Sequence, residues 1–94
     1  MDTVHALPLP GTLDRKATSE LARSLLELRG SHAALDGSGV ERLGALAVEA
    51  LISARKQWQV DGRTLSIVNP SPAFLAALEA LGADLEMLQT GPET

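Results

Sequence analysis

The chain has 94 residues, with 12 acidic and 8 basic residues and a formal net charge of −4. A chain of this length forms one domain with room for one simple site, and the lack of a Lys/Arg cluster argues against a nucleic-acid partner. Cysteine is absent, which excludes disulfide bonds and thiolate metal sites, and no secretion signal or membrane-spanning segment is recognisable, so we expect a cytoplasmic protein.

The first predicted strand and helix occupy residues 4–30. The segment Val4–Leu9 is apolar and carries a proline, which favours a strand at the edge of a sheet. Asp14 is predicted to be an N-cap, and apolar residues at helical spacing continue up to Gly30, a residue type common just after a helix. These residues therefore predict an edge strand followed by an amphipathic helix.

The middle of the chain predicts a buried strand and a second helix. Ser31–Asp36 is short and mostly apolar, which is typical of a strand buried in a parallel sheet. A helix is predicted from about Gly44 to Trp58 because apolar residues recur there at helical spacing. Its buried stripe is predicted to contain Leu46, Ala47, Ala50, Leu51, Ala54 and Trp58.

The last third of the chain predicts a strand, a helix and another strand. Thr64–Val68 alternates and contains β-branched residues, as strands do. A third helix is predicted to start after the N-cap Ser71 and to end at Gly82. Its inner face is predicted to contain Phe74, Ala77, Leu78 and Leu81. A fourth strand is predicted over Leu85–Leu88, before a flexible polar tail over residues 89–94.

This alternation of strands and helices predicts the fold class. Parallel strands need crossover connections, and helices in those connections pack on the faces of the sheet. We therefore expect an α/β domain with a mostly parallel sheet of four strands. The single domain would have its core at about residues 4–88.

The glycine-rich stretch "DGSGVERLGAL", residues 36–46, raises the possibility of nucleotide binding. A dinucleotide fingerprint needs a third glycine where Arg42 stands. A phosphate-binding loop needs a lysine and a hydroxyl where Ala45 and Leu46 stand. Both fingerprints fail, so the glycines are predicted to let the backbone enter the helix.

The candidate catalytic and metal-binding residues are isolated from one another in the sequence. His5 and His32 have no further ligand at metal-binding spacing. Asp14 is interpreted as a helix cap and Asp36 as a turn former. Ser38 has no recognisable base or nucleophile motif. We therefore predict a protein that is not an enzyme and holds no metal or cofactor.

Several stretches together resemble the STAS family, the sulfate-transporter and anti-sigma-factor-antagonist domains. They are "GTLD", "LDGSGVERL", "ALAVEALISARKQW", "DGRTLSIVNPSPAF" and "LEALGAD", and the resemblance spans roughly Leu7 to Leu88. It implies the STAS fold and a non-enzymatic switch or adaptor.

The resemblance also identifies a degenerate phosphorylation position. In the family's anti-sigma-factor antagonists, the second helix begins with "D-S-S-G" or a "D-T" variant, and a partner kinase phosphorylates the first hydroxyl. A phosphate there adds charge to the interface at a helix N-terminus. In this chain Gly44 stands at the aspartate and Ala45 at the phosphorylated residue, so that switch is expected to be missing. Ser38 or another hydroxyl as a substitute remains open.

The resemblance implies a protein-binding surface around the start of the second helix. The predicted contact residues are Ser38, Glu41, Arg42, Gly44, Ala45, Leu46 and Glu49. The stretches look most like small STAS proteins found with bacterial chemotaxis genes, which implies a kinase, receptor or response regulator as partner.

Several alternatives stay open. One is the STAS subunit of a phospholipid-transport ABC system, which binds the ATPase subunit. Others are an anti-sigma-factor antagonist and a sensor of nucleotides or small anions, since a helix N-terminus attracts anions. Association into a homodimer is also open.

Overall fold

A computed structural model describes residues 3–90 of the chain. In chain order its elements are β1 (Val4–Pro8), β2 (Thr12–Leu13), α1 (Arg15–Leu28), β3 (His32–Asp36), β4 (Arg42–Leu43), α2 (Ala45–Asp61), β5 (Leu65–Val68), α3 (Pro72–Ala80) and a 3₁₀ helix (Leu85–Met87). The predicted alternation of strands and helices is confirmed from β1 to α3. Within residues 3–90, no helix is both long and apolar enough to cross a membrane.

The main sheet is parallel and has the strand order β1-β3-β5. The central strand, β3, buries Ala33 and Leu35 completely, while β1 lies at an edge, as its proline predicts. The short strands β2 and β4 form a separate parallel pair. Because parallel strands end at the same edge of a sheet, the loops after β1, β3 and β5 lie at one edge, where ligands of α/β proteins commonly bind.

The predicted fourth strand, Leu85–Leu88, is wrong. Residues 85–87 form a 3₁₀ helix instead, and within residues 3–90 the sheet that contains β5 has three strands rather than four. The Asp84 carboxylate accepts a hydrogen bond from the Met87 backbone N–H at 3.1 Å. A short apolar run is compatible with either structure, and here the capping carboxylate before it favours the helical turn.

Part of the predicted flexible tail instead covers the outer edge of β5. The Thr90 backbone N–H donates to the Leu65 carbonyl at 2.9 Å, and the Gln89 side-chain oxygen accepts from the Ile67 N–H at 3.0 Å. The Leu65 N–H also donates to the Thr90 hydroxyl at 3.1 Å. These bonds satisfy strand groups that an exposed edge would leave unpaired. The remainder of that tail, residues 91–94, lies outside the described residues.

The predicted helix caps of α1 and α3 are confirmed. The Asp14 carboxylate accepts from the Ala17 N–H at 2.9 Å, and the Ser71 hydroxyl accepts from the Phe74 N–H at 3.0 Å. Just beyond the end of α1, Gly30 has a φ of +88°, a left-handed conformation that glycine adopts without strain.

The core of residues 3–90 is one apolar cluster with buried residues from α1, α2 and α3 and from four strands, β2 to β5. Its largest side chains are Trp58, only 2% exposed, and Phe74, which is fully buried. The Trp58 indole N–H donates to the Ser31 carbonyl at 2.8 Å. Trp58 is therefore a core residue whose polar group is satisfied, as buried tryptophan requires.

The predicted inner faces of α2 and α3 are partly wrong. Leu46 is 49% exposed and Leu81 is 45% exposed, and Ala50 is half-buried. Val48, which was not predicted to be buried, is 5% exposed. Apolar residues lie on nearly the whole circumference of α2, so their spacing alone does not determine which side faces the core.

Candidate functional site

The predicted contact residues all lie on the surface, at the edge where the parallel strands end. They belong to the loop after β3, to β4 and to the start of α2. The exposed set is Ser38, Glu41, Arg42, Gly44, Ala45, Leu46 and Glu49. We call this set the α2-start surface.

The loop of the α2-start surface is held by backbone hydrogen bonds. The Asp36 carboxylate accepts from the Ser38 N–H at 2.9 Å, which confirms the predicted turn-forming role of Asp36. The backbone N–H groups of Glu41 and Arg42 both donate to the Gly11 carbonyl, at 2.7 and 3.0 Å. The hydrogen bonds from the backbone and side chain of Ser38 lower the pKa of Asp36, because they stabilise the charged carboxylate.

The start of α3 is hydrogen-bonded to this loop. The Ser71 hydroxyl donates to the buried Val40 carbonyl, and the Ser71 N–H donates to the Gly37 carbonyl at 3.1 Å. The Gly37 N–H donates in turn to the Val68 carbonyl at 2.9 Å. Sequence reasoning predicted Ser71 as a cap but missed its bond to Val40, since no local pattern connects positions 31 residues apart.

The two glycines of this loop have different roles. A Cβ atom at Gly37 would lie 3.3 Å from the Pro70 Cα and 3.5 Å from the Phe74 ring, so close packing against the start of α3 favours glycine. A Cβ atom at Gly39 would meet nothing nearer than the Leu9 carbonyl at 4.0 Å. The close approach that requires glycine is therefore an internal packing contact.

The start of α2 has an open N-cap. Gly44 occupies the cap position with an extended backbone, φ −89° and ψ 168°, and no side chain of the described residues forms a cap hydrogen bond. The Gly44 carbonyl accepts the first helical bond, from the Val48 N–H at 3.2 Å. A Cβ atom at Gly44 would lie 3.6 Å from the Leu13 carbonyl, an ordinary van der Waals contact. The backbone therefore has room for a larger cap residue such as aspartate.

Leu46 provides the apolar part of the α2-start surface. It is 49% exposed, whereas the next residue, Ala47, is fully buried. Ala45 and Glu49 are four residues apart, and Leu46 and Glu49 are three apart, so these side chains share the outward face of the helix. The face combines a methyl group, a leucine and a carboxylate.

The two histidines lie away from this surface. His32 begins β3 and Asp36 ends it, so the strand separates them. The His32 Nδ1 accepts from the Thr64 N–H at 2.9 Å, and His5 is exposed on β1. Among residues 3–90, no group of three or more His, Cys, Asp or Glu is arranged to hold a metal ion.

Comparison with known proteins identifies a family for nearly the whole chain. A family model described as "Mlab, STAS domain" matches residues 2–89. A search of curated proteins found no match. The matched range includes every residue of the α2-start surface, and nothing in the match supports the chemotaxis-associated resemblance.

Proposed function

The chain belongs to the STAS domain family, and on that premise we propose that it is a non-enzymatic regulatory module that binds a protein partner through the α2-start surface. STAS domains generally bind protein partners. The fold presents this surface at the edge where the loops and the starts of α1, α2 and α3 meet. A cytoplasmic location is part of the proposal.

The observation that carries this proposal is the exposure of Leu46. About half of its surface is exposed although the neighbouring Ala47 and Val48 are buried, so the fold does not need this leucine for its own core. Burying apolar surface contributes roughly 25 cal/mol per Å² before the entropic costs of association are subtracted. The hydrogen-bonded loop beside it, which contains Glu41 and Arg42, is already ordered, and this lowers the entropy lost on binding.

We further propose that binding is not switched by phosphorylation at the family's usual position. Ala45 has no hydroxyl. Ser38, the nearby hydroxyl considered as a substitute, donates to the Asp36 carboxylate. A phosphate on Ser38 would place its negative charge beside that carboxylate and lose this hydrogen bond. Both features support constitutive binding.

Two partner classes are compatible with a stand-alone domain that lacks the phosphorylatable hydroxyl. One is a kinase, receptor or response regulator of a chemotaxis system, and the other is the ATPase subunit of a phospholipid-transport ABC system. The matched family is described as "Mlab, STAS domain", and one experiment tests both classes. An anti-sigma-factor antagonist ranks below them because its central device is a phosphorylation cycle.

Affinity capture with the tagged chain from its native cells, followed by mass spectrometry, distinguishes these classes. A chemotaxis kinase, receptor or response regulator would support the first class. An ABC ATPase recovered with its permease would support the second. Recovery of no specific partner would count against a binding module.

The affinity for the captured partner then tests the surface itself. We expect Leu46→Asp to weaken binding by about tenfold or more, because a charge replaces the central apolar contact. Val60→Asp is the matched control: Val60 lies near the other end of α2 and is 81% exposed. Equal affinities of the Leu46→Asp variant and the wild type, with unchanged circular dichroism, would contradict the proposed surface.

A nucleotide or small-anion sensor would use the same uncapped helix start. Calorimetric titration with GTP, GDP and ATP tests this alternative directly. Stoichiometric heat that is lost in a variant with a carboxylate at the cap, Gly44→Asp, would favour the sensor over the protein-binding module.

A further inference from the structure

A second surface is formed by α3 and the 3₁₀ helix that follows it. Between them lies a groove of about 610 Å³. Its lining consists of Leu75, Leu78, Glu79, Ala83, Asp84, Leu85 and Glu86. We call it the α3 groove. None of its residues belongs to the α2-start surface.

The α3 groove has an apolar wall that the fold leaves exposed. Leu78 belongs to the core and is 2% exposed, but Leu75 is 43% exposed. Leu85 is half-buried. Exposed apolar residues grouped in this way, with a polar rim, are typical of a binding site.

The rim of the α3 groove is uniformly acidic. Glu79, Asp84 and Glu86 are all exposed, and no salt bridge involving them is found among residues 3–90. Arg55, a cation that reaches the following segment, donates to the Gln89 carbonyl. No lysine or arginine follows Arg63 in the sequence. The groove therefore combines apolar side chains with three carboxylates that lack cationic partners.

We propose that the α3 groove docks a basic amphipathic helix of a partner protein. Its apolar side chains, at helical spacing, would contact Leu75 and Leu85, and its Lys or Arg side chains would contact the carboxylates of Glu79, Asp84 and Glu86. A second copy docked groove to groove is a poor occupant because its own groove carries the same negative charges. Nucleic acid and anionic membranes are repelled for the same reason.

This proposal goes beyond the function assigned to the α2-start surface, and either can fail without the other. The probe is a fluorescein-labelled helical peptide of about four turns, with leucines at positions i, i+3, i+4 and i+7 and lysines elsewhere. Its partner peptide replaces every lysine by glutamate. Fluorescence anisotropy at about 50 and 300 mM salt measures both affinities.

We expect the lysine peptide to bind the wild-type chain, more weakly at the higher salt, and the glutamate peptide to bind at least about tenfold more weakly. The triple variant Glu79→Gln, Asp84→Asn and Glu86→Gln should lose about tenfold in affinity for the lysine peptide. Asparagine at position 84 can still cap the 3₁₀ helix. No binding of the lysine peptide at low salt would overturn the proposal, as would equal affinities for the two peptides.

A matched control distinguishes binding at the α3 groove from nonspecific electrostatic attraction of the peptide to an acidic protein. The double variant Glu20→Gln and Glu27→Gln removes two exposed carboxylates from α1, outside both surfaces, and should keep the wild-type affinity for the lysine peptide. Amide chemical-shift changes on peptide binding should concentrate at residues 75–87. Changes concentrated at residues 38–49 instead, or an equal loss of affinity in the control, would overturn the assignment.

Discussion

The helices α2 and α3 begin at the same edge of the sheet, but their N-cap residues differ in burial and in hydrogen bonding. At α3 the cap residue, Ser71, is buried and uses its hydroxyl twice, as acceptor from the Phe74 N–H and as donor to the Val40 carbonyl. At α2 the cap residue, Gly44, is exposed and offers no side chain. The start of α3 has a side-chain cap, whereas the start of α2 has no side-chain cap hydrogen bond among residues 3–90.

The loop after β3 connects these two helix starts. The carbonyl groups of Gly37 and Val40 accept hydrogen bonds from Ser71 at the start of α3. Ser38 and Glu41 in the same loop are exposed to solvent. The start of α3 therefore holds the loop that leads to the start of α2. Each of the following substitutions tests one part of this difference between the two helix starts.

Ala47→Asp should have the largest effect, because it alters the buried side of the open helix start. Ala47 is fully buried, and an unpaired carboxylate there would lose its hydration without gaining a partner. We expect a loss of about 4 kcal/mol or more, from a total stability of about 5 to 15 kcal/mol. Circular dichroism and urea unfolding measure it.

The adjacent variant, Leu46→Asp, is the control for this substitution. Leu46 is 49% exposed, so its replacement should change the free energy of unfolding by only about 0.5 kcal/mol. Similar destabilisation by the two variants would show that the faces of α2 are assigned incorrectly.

Ser71→Ala tests the closed helix start. The substitution removes the cap bond to the Phe74 N–H and leaves the buried Val40 carbonyl without its hydroxyl donor. We expect a loss of about 2 kcal/mol in the free energy of unfolding, measured with urea. Ser19→Ala, at an exposed position on α1, should stay within about 0.5 kcal/mol of the wild type. Equal stability of both variants would contradict the structural role of Ser71.

Gly37→Ala and Gly39→Ala test the packing of the loop between the two helix starts. The added methyl at position 37 would lie 3.3 Å from the Pro70 Cα, a backbone atom that moves with difficulty, so we expect a loss of about 1 kcal/mol. The methyl at position 39 has room, with its nearest neighbour at 4.0 Å, and should cost less. Urea unfolding compares them, and a more harmful change at Gly39 would reverse the assignment.

The fold could be predicted from local signals, but long-range contacts could not. Caps at Asp14 and Ser71 predicted the starts of α1 and α3, because a cap bonds to a backbone group three residues away. The covering of β5 by Gln89 and Thr90 was missed because it joins side chains to a distant strand edge. The short segment after α3 was assigned to a strand because too few residues define its period.

In the candidate site, too, some features could be predicted from the sequence and others needed the folded chain. The resemblance alone predicts that Ala45 stands at the degenerate phosphorylation position, and this stays a prediction. The exposure of Leu46 could not be derived, because the apolar spacing of α2 allowed it to be buried in the core. Support of the loop by Ser71 also required the folded chain, since the two segments are far apart in sequence.

Gly44→Asp should have the smallest effect on the free energy of unfolding, and it should stabilise the domain rather than destabilise it. The backbone at this position is extended and has room for a Cβ atom 3.6 Å from the Leu13 carbonyl. An aspartate could therefore accept hydrogen bonds from the first turn of α2 and interact favourably with its dipole. We expect stabilisation by about 0.5 kcal/mol in urea unfolding, and slight destabilisation by Gly44→Ala, since alanine caps helices poorly.

Stabilisation by aspartate would show that the open cap is not imposed by the backbone. The natural glycine would then leave the domain less stable than its own geometry allows, as expected where a surface serves binding rather than folding. Destabilisation by aspartate would mean that the first N–H groups of α2 are already satisfied. The two cap residues, Gly44 and Ser71, would then differ only in how deeply they are buried.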